Sequence, residues 1–66
     1  MLVTVNGEER QVPDALQLDQ LIDLLGLAGK RLAVEHNREI VRRQSWTDVV
    51  LADADVIEIV HFVGGG

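Results

Sequence analysis

One stretch, LQLDQLIDLLGL, breaks the rhythm of everything around it. Leu18, Leu21, Ile22 and Leu25 recur at i, i+3, i+4 and i+7, the single apolar stripe of an α-helix. The segments on either side alternate apolar and polar residues with a period of two, as strands do. A helix of about two to three turns does not hold itself in water by propensity and must be packed against something. With 66 residues there is one domain at most, so the stripe has to lie on a sheet built from the flanking segments. Asp19 falls in the first turn, where negative charge suits the helix dipole, and Gly26 stands where a left-handed C-terminal cap belongs.

The flanking segments supply that sheet. MLVTV followed by Asn6-Gly7 is a strand and a tight hairpin turn, and the return strand is expected over Arg10 to Pro13. After the helix, RLAVEHN sets Leu32 and Val34 against Ala33 and Glu35; a turn at Asn37-Arg38 leads into a short strand, Glu39 to Val41. RRQSWTDVVL is irregular, with a helical turn expected around Ser45 to Val49. ADAD is a turn, and VIEIVHFV is the longest strand. The order β-β-α-β-β-β predicts an α+β domain, a mixed sheet of about five strands with one main helix across one face. First and last strands side by side in the middle would give the ubiquitin-like β-grasp arrangement. The domain is expected over 1–63, with 64–66 as a flexible glycine tail.

Composition narrows the chemistry. A chain this short buries about 60% of its unfolded surface and has a net stability of roughly 3–10 kcal/mol, so nearly every apolar side chain is needed for the core. Cysteine is absent, which removes disulfides, thiol nucleophiles and thiolate ligands, and favours a cytoplasmic setting over a secreted one. The N-terminus has no basic region ahead of an apolar stretch, so no signal peptide is expected, and no apolar run approaches the ~20 residues that span a bilayer. A formal charge of −5 disfavours nucleic acid and anionic lipid, and steers the chain towards basic surfaces.

Side-chain catalysis has little to work with. Ser45 is the one serine, neither His36 nor His61 stands in a nucleophile context, and the two histidines are not spaced as a metal pair. No catalytic residue and no metal ligand is expected. The simplest placement has Ser45 capping a turn, both histidines on the sheet surface, Asp53 and Asp55 as solvated turn carboxylates, and Trp46 in the core or at its rim.

The end of the sequence is different. Gly64, Gly65 and Gly66 follow the last strand, and glycine's missing Cβ lets such a segment thread a channel that any side chain would block. Three residues reach roughly 10 Å. A terminal carboxylate, with a reference pKa of about 3.3–3.7, is ionised at neutral pH and can attack the α-phosphorus of ATP. The resulting acyl adenylate can be converted by sulfide or a persulfide to a thiocarboxylate. On its own a glycine-rich end is as often a frayed terminus; on a β-grasp pattern it favours a carrier.

VNGEE, LAVEHNREIVRRQSW, LADADVIEIV and the final GGG resemble the sulfur carrier proteins of thiamine (thiazole) biosynthesis over essentially the whole chain. Asn37, Glu39, Val41, Arg43, Trp46, Asp53, Asp55 and Glu58 match that pattern. Arg38 and Ala54 stand where glycine is usual, and Arg42 where proline is usual. The resemblance implies adenylation of Gly66 by an ATP-dependent, E1-like activating enzyme, transfer of sulfur from a sulfur donor protein, and delivery to thiazole synthase. It makes Gly65 the unhindered approach, Gly64 a spacer, ATP a substrate of the partner enzyme rather than a bound cofactor, and the free carrier a monomer. Neighbouring possibilities are a molybdopterin synthase small subunit, another β-grasp sulfur carrier, a ubiquitin-like modifier, or a passive interaction module.

Strand parity adds a docking surface. If Glu58 faces solvent, Ile57 and Ile59 meet the helix, and Val60 and Phe62 lie on the opposite face as an apolar patch, with Leu2 beside them. The competing placement folds Phe62 back onto the domain's own edge.

Overall fold

The computed structural model describes residues 1–62. Asn6 (φ 50°) and Gly7 (φ 82°) both occupy the left-handed region, as a two-residue hairpin turn matched to strand twist requires. β1 (Leu2–Val5) therefore returns at once as β2 (Glu8–Gln11), with Val5 opposite Glu8. The return strand thus begins two residues earlier than Arg10 and stops before Val12 and Pro13, because a turn this tight leaves no unpaired residues after Gly7. All of β2 is exposed, and its Glu8, Glu9 and Arg10 give the sheet a charged outer edge that resists pairing with another chain.

α1 (Leu18–Leu24) follows, with Leu18, Leu21 and Ile22 buried. The Gln20 side chain accepts the Gln17 backbone N–H at its start. At its end Gly26 (φ 73°) donates to Asp23 O and Leu27 to Ile22 O, the paired bonds of a Schellman cap. Gly26 is thus the helix terminator that its position in the sequence implied.

β3 (Leu32–His36) and β4 (Glu39–Val41) form the second hairpin, turning at Asn37 (φ 50°) and Arg38 (φ 73°). A 3₁₀ helix over Arg43–Asp48 begins two residues before the expected turn. Ser45 does not cap it; Arg42 is the flanking residue at its start, and the Arg42 backbone carbonyl accepts the Ser45 N–H. Trp46 is buried and donates its indole N–H to Val41 O at 3.0 Å, while the Arg43 guanidinium sits 4.8 Å from the ring centroid. The tryptophan so closes the open end of the core.

β5 (Val56–His61) is the central strand, and the sheet order is β2-β1-β5-β3-β4, with β1 and β5 parallel. The expected mixed five-stranded sheet with one main helix on one face is present. Val3, Val5, Val34, Ile57 and Ile59 from the sheet meet Leu18, Leu21 and Ile22 from α1, with Leu16, Leu51 and Trp46 around them. Each such side chain contributes roughly 1.5–3 kcal/mol by leaving water. Leu18 N–H bonds Val49 O and Leu51 N–H bonds Leu16 O, which ties the segment before β5 to the start of α1.

Candidate functional site

β5 sets the geometry of the site because it runs through the middle of the sheet and is the last element before the end of the described residues. Ile57 and Ile59 are buried against α1, and Glu58, Val60 and Phe62 project from the other face. Val60 and Phe62 are each 56% exposed, so both stand outside the core. Beyond Val5 and Ile57 the β1–β5 ladder ends, and the side chain of Asn6 takes over. It accepts the Ile59 N–H at 2.7 Å and donates to Ile59 O at 3.1 Å. Phe62 N–H then bonds Arg31 O, which holds the strand to its last described residue.

Leu2 is on the same outer face but is not beside Val60 and Phe62. Thr4 pairs with Val56, Leu2 N–H bonds Asp53 Oδ1, and Ala54 N–H bonds Leu2 O. Because β1 and β5 run parallel, Leu2 sits at the start of β5 while Val60 and Phe62 sit at its end. The outer face around Val60 and Phe62 is therefore completed by different neighbours. Ala33 on β3 lies opposite Val60, and Ile40 on β4, 80% exposed, lies opposite Glu35. Ile40 went unnoticed in the sequence because its face follows from the β3–β4 register, not from its own short strand. Gly64, Gly65 and Gly66 lie outside the described residues.

At the other end of β5, two expectations need correction. His36 is not a surface residue and Asp55 is not a solvated turn carboxylate: the His36 Nε2–H donates to Asp55 Oδ2 at 2.6 Å, with the two side chains only 23% and 13% accessible. The same carboxylate accepts the Ala52 N–H at 2.9 Å and the Asn37 side-chain amide at 3.1 Å. Partial burial pushes the Asp55 carboxyl up, but the bonds from Ala52, His36 and Asn37 outweigh it and leave the group below its ordinary value of 3.8. Asp53 is likewise structural, through its bond to Leu2. His61, by contrast, is exposed.

Two shallow clefts, of ≈ 280 and ≈ 250 Å³, lie away from this face, one against Asn6 and Leu27 and the other against Asp19 and Trp46. Neither is lined by Val60 or Phe62. Among the described residues no three histidine or carboxylate side chains converge as metal ligands, and no helix is long and apolar enough to cross a membrane. What the described domain offers chemically is a central strand, followed in the sequence by the glycine segment, and an open, partly apolar sheet face.

Comparison with known proteins agrees with that geometry. The ThiS family model matches residues 3–66. The sulfur carrier protein ThiS of Bacillus subtilis is 39% identical, with 98% of this chain and all of that protein covered. A thiazole synthase of Paramagnetospirillum magneticum is 41% identical over the whole chain, which spans 20% of that protein's length. The crystal structure of a thiamine biosynthesis protein (ThiS) from Geobacter metallireducens superposes with a TM-score of 0.85 at 32% identity, both chains fully covered. The chain belongs to the ThiS family.

Proposed function

We propose that this chain is a sulfur carrier of thiamine biosynthesis, acting in the cytoplasm as a co-substrate of other enzymes and not as an enzyme itself. The observation that carries the reading is the family match from residue 3 through Gly66, which joins the described domain to the glycine segment without a break. The full-length similarity to the Bacillus sulfur carrier supports the same role.

In this role the Gly66 carboxylate attacks the α-phosphorus of ATP on an E1-like activating enzyme, and pyrophosphate leaves. A persulfide on a donor protein then attacks the acyl carbon of the adenylate and AMP leaves, giving an acyl disulfide. A thiol attacks the donor-side sulfur of its S–S bond, forms a disulfide with the donor and releases the acyl-bound sulfur. The product is a thiocarboxylate at Gly66, which passes its sulfur to thiazole synthase. Gly64 and Gly65 contribute by having no side chain, so the segment fits a narrow channel in each partner. ATP is consumed on the partner, and no cofactor belongs to the carrier. The synthases that contain a stretch 41% identical to this chain support thiazole synthase as the recipient.

Incubation with ATP, the activating enzyme and a sulfur donor tests this by intact mass. The expected change is one oxygen replaced by one sulfur, absent when Gly65 and Gly66 are both deleted. An unchanged mass for the parent chain under conditions that activate a known carrier would sink the reading.

A further inference from the structure

The outer face of the sheet holds an arrangement that folding does not account for. Glu35 on β3 stands directly opposite Glu58 on β5, and like charges opposed in this way destabilise a sheet. Neither carboxylate makes an ion pair within the described residues, and Arg42, exposed just beyond β4, bonds neither of them. The chain has 11 acidic and 6 basic residues, so the rest of the surface gives no general relief. Exposed apolar groups flank the pair: Ile40 beside Glu35 on one side, Val60 and then Phe62 further along β5 on the other.

A second copy of the chain is a poor occupant, because it would bring two more carboxylates to the same place. A basic side chain between Glu35 and Glu58 would turn their repulsion into attraction, and the apolar residues around them would then exclude water and strengthen the contact. Arginine suits the position best, since its planar fork has enough donors for two carboxylates at once.

We infer that the outer face of β3, β4 and β5 docks a protein partner that places an arginine between Glu35 and Glu58, with apolar contacts on Ile40, Val60 and Phe62. This rests on the carrier reading and adds the chemistry of the partner's surface to it. The electrostatic strain in the free domain becomes part of the recognition: the pair is unfavourable until the partner arrives.

Calorimetric titration with thiazole synthase from the same organism, at low and high salt, tests it. Glu35→Gln combined with Glu58→Gln is expected to weaken binding about tenfold or more at low salt and to remove most of its salt dependence. Glu8→Gln with Asp48→Asn, the same change in charge placed off this face, should leave binding near that of the parent. The free Glu35→Gln/Glu58→Gln protein should also melt at a higher temperature than the parent. Binding by that variant as tight as the parent's, with the same salt dependence, overturns the inference, and so does a parent chain that does not bind the synthase. The mass measurement of thiocarboxylate formation separates the two ideas: a chain that gains sulfur while its acid-pair variant docks normally retains the carrier reading and loses this one.

Discussion

The two hairpins turn in the same way and are anchored differently. Asn6-Gly7 and Asn37-Arg38 both place two consecutive residues at positive φ, and both asparagines reach across to β5. Asn6 grips a peptide unit, accepting from and donating to Ile59, as the next residue of the ladder would have done. Asn37 accepts the Val56 N–H but gives its own amide to the Asp55 carboxylate, which is shared with His36 and Ala52. One end of β5 is therefore held by neutral groups alone, and the other by a group whose charge depends on pH. The comparison teaches that a turn motif settles the chain reversal, whereas what its side chain binds depends on the strand that arrives beside it.

The largest effect is expected at the neutral anchor. Asn6→Ala removes two hydrogen bonds and leaves the Ile59 N–H and C=O partly buried without partners. It also puts alanine at a φ that asparagine tolerates better. A loss of about 2–3 kcal/mol in urea unfolding follows from those two costs. A change no larger than that of an ordinary exposed substitution would show that water replaces the amide, and the contrast between the two ends of β5 would vanish.

At the charged anchor the effect is smaller and depends on pH. Asp55→Asn keeps an acceptor but weakens charge-assisted bonds to His36 and Ala52, for an expected loss of about 1–2 kcal/mol at neutral pH. The folded pKa of Asp55 lies below its ordinary value of 3.8. The ionised group therefore adds stability that is fully present above that value and is lost as the pH falls through the lower, folded one. Thermal melts from neutral pH to about pH 3 should show parent and variant converging at the acid end. Asn6→Ala should keep its full deficit over the same range. Parallel curves for Asp55→Asn would remove the pH distinction between the two turns.

How much of this was legible in advance follows the range of the interactions. Gly26 as helix terminator, Asn6-Gly7 as a turn and the inward face of Ile57 and Ile59 all depend on neighbours within a few residues, and local pattern carries that information. The Asn6–Ile59 and His36–Asp55 contacts join residues 53 and 19 apart, so they exist only once β1, β3 and β5 have found their register. Leu2 was misplaced for the same reason: a parallel pairing between chain-distant strands sets its level, and nothing in MLVTV states that level. Of the candidate site, Val60 and Phe62 followed from parity along one strand, while Ile40 and the Glu35–Glu58 opposition needed the pairing of three.

The smallest effect isolates the one residue-type difference between the turns. Gly7 (φ 82°) has nothing within 4 Å of where a Cβ would stand, so Gly7→Ala carries a conformational cost alone, about 1 kcal/mol. Arg38 (φ 73°) already bears that cost, and Arg38→Gly relieves it. The gain is partly cancelled, because glycine leaves the unfolded chain with more freedom to lose. A net stabilisation of about 0.5 kcal/mol is expected in urea unfolding, opposite in sign to Gly7→Ala and about half its size. If Arg38→Gly instead weakens the domain, the arginine side chain contributes to the folded state beyond its backbone strain, and the two turns differ in packing as well as in anchoring. If it stabilises as expected, the backbone of the two turns is energetically alike, and the difference between them lies in what Asn6 and Asn37 hold.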